Sequence, residues 1–112
     1  MIIKGIASPI SAIKAFGTKM ESTADNIANS QSQEFKKTRV VLSEQKNNAG
    51  VKAQTSRVNT PGDIDASGKE LSNVDIADEI SSMIPTSRGL EANVKAVQTM
   101  DEMAGTIINI IE

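Results

Sequence analysis

Apolar residues recur every three or four positions near both ends of the chain, and the middle lacks this rhythm. Such spacing gives a helix one apolar stripe, which is typical of a coiled-coil contact. The pattern therefore predicts two long terminal helices, each burying a stripe against another helix. The residues of this helix-pairing seam are Ile6, Ile10, Ile13, Met20 and Ile27, followed by Ile80, Met83, Leu90, Val94 and Val97.

The first helix is expected to end near Ala28, and the sequence leaves two possible starts. Ser8 can cap free backbone N–H groups and Pro9 suits the first helical position. The apolar spacing begins earlier, at Ile3, which favours a helix that contains Pro9. Gly17 lies on the seam and costs about 1 kcal/mol relative to Ala. Either the helix tolerates this glycine or a partner helix approaches closely there.

The middle of the chain predicts a β-hairpin and a loop. Residues 35–42 and 51–58 are rich in β-formers or alternate in polarity, and they flank a turn signal at residues 47–50. A further turn is expected at residues 60–63, with irregular structure over residues 63–71. Because an isolated two-stranded hairpin is marginal in water, it should lean on a helix or a neighbouring molecule.

The second helix is expected to follow a capping box at residues 72–75. Pro85 lies within it, where a proline removes a backbone donor and clashes with the carbonyl group of Ser81, so a kink or a break is predicted. Residues 107–111 are apolar almost all round, which a two-helix contact alone cannot cover. The residues that we expect to be buried between subunits are Ile107, Ile110 and Ile111.

These segments make one structural unit of mainly α class. We expect an N-terminal coiled-coil helix at residues 1–29, a loop and small β-hairpin at residues 30–72, and a C-terminal coiled-coil helix at residues 73–112. Among 112 residues, Phe16 and Phe35 are the only aromatics. Since aromatics contribute much of the buried area of a compact core, a free-standing globule would be weakly packed, and neighbouring subunits are expected to complete the core.

Charge is split between the two halves of the chain. Residues 1–57 carry nine Lys/Arg against four Asp/Glu, or +5, and residues 58–112 carry three against ten, or −7. Opposite halves can attract within a chain or between copies, or both can be solvated surface. The net charge of −2 argues against a nucleic-acid partner that requires many neutralised phosphates.

The sequence offers little for catalysis. It has no Cys and no His, which removes thiol nucleophiles, disulfides and the usual zinc sites. Carboxylate pairs such as Asp101 and Glu102 lack any predicted pocket that would separate their pKa values. An acid-dependent hydrolase using that pair is the least favoured hypothesis, so we expect no enzyme, no cofactor and no metal. No apolar run is long enough to cross a bilayer, and no secretory signal follows Met1.

Two blocks of sequence resemble bacterial flagellar rod and hook proteins. The first is residues 23–29 followed by residues 34–37; it departs from the family signature at Asp25, where Asn is usual, and at Glu34, where Gly is usual. The second lies between residues 74 and 107. The residues that carry the motif are Asn26, Ile27, Ala28, Asn29, Phe35, Lys36, Glu91, Ala92, Asn93, Asp101, Glu102 and Met103. The resemblance is closest to the short proximal-rod type, because no large outer domain is inserted.

The resemblance implies a structural subunit of the basal-body rod. Its terminal helices would pair as an antiparallel coiled coil and polymerise into an axial tube that transmits motor torque. Expected partners are copies of itself, other rod and hook proteins and the flagellar type III export apparatus. Export would use no cleaved signal peptide, the location would be the periplasmic rod, and no membrane insertion is expected. The alternative is a soluble helical adaptor, or a divergent paralogue, that binds a partner without polymerising.

Overall fold

The computed structural model describes the backbone of residues 2–48 and 50–111, and the side chains of residues 8–47 and 50–111. In this part, the elements are α1 (Ile2–Ala28), β1 (Thr38–Glu44), a 3-10 turn (Lys46–Asn48), β2 (Val51–Arg57) and α2 (Ile76–Ile111). The mainly helical class and the antiparallel hairpin are confirmed. The molecule extends 73 × 24 × 15 Å with a radius of gyration of 19.2 Å, whereas a compact domain of this length has about 13 Å.

Both helices keep their proline. α1 begins at Ile2, so the earlier of the two predicted starts is correct and Pro9 lies inside the helix. α2 likewise continues through Pro85 without interruption, which overturns the predicted break. Next to Pro85, the hydroxyl group of Thr86 donates to the backbone oxygen of Ser82 at 2.7 Å. A bend at Pro85 stays a prediction.

The predicted capping box at residues 72–75 is wrong, because α2 begins one residue after Asp75. The Asp75 carboxylate accepts the backbone N–H of Ala77 at 3.0 Å, and its carbonyl accepts that of Glu79 at 3.0 Å. Asp75 is therefore the N-cap. Asp78 and Glu79 lie in the first turn, where the positive end of the helix dipole stabilises their negative charge.

The hairpin rests on α1 along one face. Val40 is paired with Thr55 and is buried, whereas its neighbour Val41 is 52% exposed on the outer face. At the start of β2, the backbone N–H of Val51 donates to the Ser11 hydroxyl group at 3.0 Å. Gly50 has φ of 98°, and a Cβ there would collide with the Ser11 side chain. A glycine thus lets the tip of the hairpin approach α1 closely.

Asn26 joins α1 to the first residue of the hairpin. Its side-chain nitrogen donates to the backbone oxygen of Thr38 at 2.9 Å, and its side-chain oxygen accepts the Thr38 N–H at 3.0 Å. Ser22, one turn earlier, hydrogen-bonds to the Thr38 hydroxyl group. Asn26 is only 1% exposed, so this two-way amide contact is shielded from water and fixes where β1 leaves the helix.

α2 packs against α1, with Phe16 lying over the backbone at Gly89. A Cβ at Gly89 would come within 2.6 Å of the Phe16 ring. The fully buried hydrophobic set in the described side chains is small and consists of Ala12, Ala15 and Val40. Small residues at this contact allow the helices and the hairpin to approach closely, but they bury little apolar area.

Replacing Gly89 tests the contact with Phe16. Alanine favours a helix over glycine by about 1 kcal/mol, but at Gly89 it also crowds the Phe16 ring, at a typical cost of about 1–3 kcal/mol. Gly17→Ala is the matched control, because nothing lies within 4 Å of its added Cβ. We expect Gly89→Ala to be less stable than Gly17→Ala by about 1–3 kcal/mol in urea unfolding. Equal stability of the two variants would show that Phe16 does not pack there.

Replacing Asn26 tests the link between α1 and β1. Asn26→Ala leaves the backbone groups of Thr38 without their side-chain partner in a buried place, so we expect a loss of about 2–3 kcal/mol in the free energy of unfolding. Asn29→Ala is the control, since its amide group bonds an exposed helix end, and we expect about 1 kcal/mol or less. Similar losses for both variants would contradict a specific role for Asn26.

Candidate assembly site

Two motif residues at the end of α1, Asn26 and Asn29, point in different directions and make different contacts. Asn26 points inward to the hairpin, as described. Asn29 lies just after the last residue of α1, where its side-chain nitrogen donates to the backbone oxygen of Asp25 at 2.9 Å. The Asn29 side-chain oxygen accepts the hydroxyl group of Ser32 at 3.1 Å. The Asp25 carbonyl also accepts the backbone N–H of Asn29 at 3.0 Å, so Asn29 bonds the helix end through both groups and holds the first turn of the loop.

The loop reaches β1 through a turn in which Glu34 has φ of 60°. Left-handed backbone favours glycine, and the family signature described above has Gly at this position. In this chain, Glu34 forms the turn instead. The N–H of Glu34 donates to the backbone oxygen of Glu70 at 3.0 Å. Ile27 and Phe35 on either side of this loop are half-buried, and Ala28 is exposed.

Lys36 connects the start of β1 to the second loop, residues 58–75 between β2 and α2. Its ammonium group pairs with the Glu70 carboxylate, which is the one ion pair among the described residues. That carboxylate also accepts the N–H of Gly62 at 3.0 Å. The hydrogen bond from Lys36, with the Gly62 N–H second, lowers the pKa of Glu70 below its usual value. Because the pair is close to solvent, it orients the loop more than it stabilises the fold.

Asn73 connects three segments, and the sequence did not single it out. Its side-chain oxygen accepts the N–H of Lys37 at 2.7 Å, and its nitrogen donates to the backbone oxygens of Val58 and Thr60 at 2.8 and 2.9 Å. Its own N–H donates to the backbone oxygen of Phe35 at 3.3 Å. The sequence places Asn73 within the predicted capping box at residues 72–75, and only the fold shows that it bonds both ends of the hairpin.

Asp65 lies in a tight turn that is flanked by an isolated β-bridge between Ile64 and Glu70. Its carboxylate accepts the hydroxyl group and N–H of Ser67 and the N–H of Lys69, at 2.6 to 2.9 Å. The Ser67 hydroxyl contributes most to lowering the pKa of Asp65, and the Lys69 N–H comes next. The carboxylate serves the turn itself. The described residues contain no group of three or more acids suited to a metal ion.

The predicted seam residues are divided between the helix contact and the surface. Met83, Leu90 and Val97 recur every seven residues on α2, are half-buried, and alternate with Glu79, Thr86 and Asn93. Leu90 in this stripe directly follows Gly89, which contacts Phe16 of α1. Ile13, Met20 and Ile27 on α1 are also half-buried. Other seam residues stay exposed, namely Ile10, Ile80 and Val94, at 42%, 48% and 40%. The side chain of Ile6 lies outside the described part.

The far end of α2 presents a continuous apolar surface. The residues concerned and their exposed fractions are Met103 57%, Ile107 43%, Ile108 57%, Ile110 79% and Ile111 79%. Within this surface, the three Ile predicted to be buried between subunits are thus accessible in the single chain. Four other motif residues on α2, Glu91, Ala92, Asp101 and Glu102, are exposed. The Asn93 amide is bonded to the Gly89 carbonyl at 2.7 Å.

A cavity of about 320 Å³ lies where α1, β1 and α2 meet. Its charged lining residues are Lys19, Lys37 and Arg39 from the first half of the chain and Asp78 and Glu79 from the second. The oppositely charged halves of the sequence therefore face one another here. Every buried side-chain nitrogen and oxygen in the described part has a hydrogen-bond partner.

No helix in the described part of the chain has the length and hydropathy that a membrane span requires. Two other features of the described part are the hydrogen-bonded junction around Asn26 and Asn73 and the exposed apolar residues of α1 and α2.

One known protein family matches the C-terminal part of the chain, and individual flagellar proteins match 44–59% of it. Residues 69–110 match the family "Flagellar basal body rod FlgEFG protein C-terminal". The flagellar hook protein FlgE of Treponema pallidum is 39% identical over 67 residues, which cover 59% of this chain and 14% of that protein. The flagellar basal-body rod protein FlgG of Bacillus subtilis is 37% identical over 60 residues, covering 49% of this chain and 23% of that protein.

The hook protein FlgE of Helicobacter pylori is 41% identical over 49 residues, covering 44% of this chain and 7% of that protein. The chain thus spans less than a quarter of the length of each of these relatives. The matched family segment begins at the loop that holds Asn73 and contains nearly all of α2. Through this segment, the chain is similar to flagellar rod and hook proteins.

Proposed function

We propose that this protein is a structural subunit of the flagellar basal-body rod. It polymerises through its terminal helices into the axial tube that transmits motor torque for motility. One observation carries this proposal: the apolar end of α2, at 103–111, lies within or next to the family-matched segment and is exposed in the single chain. Contiguous exposed apolar surface of this kind marks an interaction site.

The helices pair as an antiparallel coiled coil. Phe16 lies against Gly89, and the cavity brings Ser22 and Thr23 of α1 beside Ser82 of α2. A later position on α1 thus corresponds to an earlier position on α2, which is the register of an antiparallel pair. The seven-residue recurrence of Met83, Leu90 and Val97 supports coiled-coil packing, although the polar residues between them make the seam a weak one.

The hairpin and the hydrogen-bonded junction have a scaffolding role in this proposal. Asn26 and Asn73 bond the backbone at both ends of the hairpin. This holds the hairpin at a set angle to α1, and a subunit that repeats along a tube requires the same angle in every copy. The motif residues Asn26, Asn29 and Lys36 act as positioning groups for the loop and the hairpin.

The partners that we propose are copies of this chain, other rod and hook proteins and the flagellar type III export apparatus. We further propose that the protein reaches the periplasmic rod by that apparatus, without a cleaved signal peptide. The similarity to flagellar rod and hook proteins supports this location, and the relatives' names place them in the hook or the basal body. Catalysis has no part in the proposal, since the Asp101 and Glu102 pair is exposed on α2.

The apolar end of α2 is tested by a charged substitution at Ile107. Ile107 is 43% exposed in the single chain, so Ile107→Asp should fold normally and lose its contact with the neighbouring subunit. Losing a buried Ile costs about 2–5 kcal/mol, which corresponds to more than about a tenfold loss of affinity. We expect the variant to be missing from purified basal bodies and its cells not to swim.

Asn109→Asp is the matched control for this experiment. It adds the same charge two residues away at a polar position, so incorporation and swimming should be close to normal. Circular dichroism of both purified variants checks that α2 is intact. Normal incorporation and swimming of the Ile107→Asp strain would contradict the axial role. A low-order oligomer that stays in the cytoplasm would instead identify an adaptor that binds a partner without polymerising.

A further inference from the structure

A second apolar surface runs along the two helices and is separate from the end of α2. We call it the ledge, and it consists of residues spaced three, four or ten positions apart, which share one stripe on each helix. Its members are Ile10, Ile13, Gly17 and Met20 on α1 and Ile76, Ile80, Ile84 and Val94 on α2. Five of them are exposed by 40–54%, namely Ile10, Ile76, Ile80, Ile84 and Val94.

The α1 half of the ledge lies away from the hairpin. The hairpin contacts α1 through Ser11, Ser22 and Asn26. An α-helix turns by about 100° per residue, which places these three residues on roughly the opposite side of α1 from the ledge. Gly17 lies in the middle of the ledge, and no heavy atom comes within 4 Å of a Cβ placed there. This half of the ledge therefore has room for another helix.

The two halves of the ledge lie on the same side of the helix pair. Viewed along each helix from its N-terminus, the ledge is rotated toward increasing helical angle from the residue at the helix contact. That residue is Phe16 on α1 and the buried Thr86 on α2. Because the paired helices run in opposite directions, equal senses of rotation bring both stripes to one side. The result is a mainly apolar strip two helices wide, opposite the hairpin, which Ser87 and Glu91 interrupt on α2.

The chain cannot cover the ledge with its own apolar end. α2 is one continuous helix of 36 residues, about 54 Å long. If the register set by Phe16 and Gly89 continues at 1.5 Å per residue, the first residue of α1 is level with about residue 103 of α2. The apolar end therefore projects past α1 and away from the ledge. The apolar end of a second copy of the chain can reach the ledge.

Charge supports this occupant. Residues 2–20 have three Lys and no Asp or Glu, and residues 96–111 have Asp101 and Glu102 and no Lys or Arg. Lys14, Asp101 and Glu102 are exposed and belong to no ion pair within the part of the chain that the structure describes. An end of α2 that lies on the ledge of another copy would thus bring its acids towards the basic part of α1.

We propose that the apolar end of α2, residues 103–111, seats on the ledge of the next copy. This rests on the proposed function and adds to it the two surfaces that meet. The two surfaces differ, so each copy binds one neighbour by its ledge and another by its end. Such a head-to-tail contact forms a ring only if the rotation between successive copies closes. Otherwise, it generates an open helical assembly.

Disulfide trapping tests this pairing, because the natural chain has no cysteine. Full-length Gly17→Cys and Ile110→Cys are mixed at concentrations up to about 1 mM and oxidised. We expect a disulfide-linked heterodimer. Ser56→Cys is the control for Gly17→Cys, because Ser56 is exposed on β2, on the hairpin side. Its mixture with Ile110→Cys should yield about tenfold less heterodimer, since apolar burial does not hold that pair together.

A second pair of variants tests the apolar contact itself. Ile84→Asp, combined with Gly17→Cys, should lower the yield of heterodimer about tenfold, because it places a charge on the ledge. Ile64→Asp in the same background is the control, since Ile64 is 72% exposed in the second loop and lies off the ledge. Both positions are exposed, so both variants should fold, which circular dichroism checks.

The outcomes separate this inference from the proposed function. Equal trapping with Gly17→Cys and Ser56→Cys, or no trapping of either, overturns the seating on the ledge. If the wild-type protein is nonetheless found in basal bodies, the axial function stands and the subunits meet elsewhere. If trapping is specific but the protein is absent from basal bodies, the ledge binds the end of α2 and the axial function fails.

Discussion

The amide group of Asn26 is the contact on which the arrangement of the other elements depends. It is buried in the last turns of α1 and bonds both backbone groups of Thr38. An apolar side chain there would allow the hairpin to slide along α1, whereas a donor and an acceptor facing one residue permit a single register. With β1 held at its first residue, the pairing of Val40 with Thr55 places the apolar face of the hairpin on α1.

The core that results is too small to use all the apolar residues of the chain. Ala12 and Ala15 allow close approach but bury little area, and Thr23, Glu79 and Thr86 occupy other buried positions. Larger aliphatic residues, including Ile80, Ile84 and Ile110, remain 48–79% exposed. Exposed apolar area on this scale costs solubility in a free monomer and contributes free energy when a neighbour covers it. The same distribution therefore favours assembly over an isolated fold.

Several local features of the sequence predicted the structure well because local rules decide them. The end of α1 at Ala28 and the two strands of the hairpin follow from a change in residue periodicity and from turn residues near Asn47. The start of α2 was misplaced, because residues 72–75 match a capping box locally while Asn73 is engaged by Lys37 and Val58 from distant segments. Pro85 was expected to kink or break α2, but the helix continues through it without interruption and packs against α1.

The sequence by itself determined that this protein has two long helices, a hairpin between them, and more aliphatic residues than it can bury, because periodicity and composition are properties of the chain. Only the tertiary structure decided which aliphatic residues are covered. Met83 and Leu90 are half-buried whereas Ile80 and Val94 are exposed, since the position of the helix contact depends on Phe16 meeting Gly89, 73 positions apart in sequence. The partner of Asn26 was likewise undetermined, because a hydrogen bond between separate elements depends on how they pack.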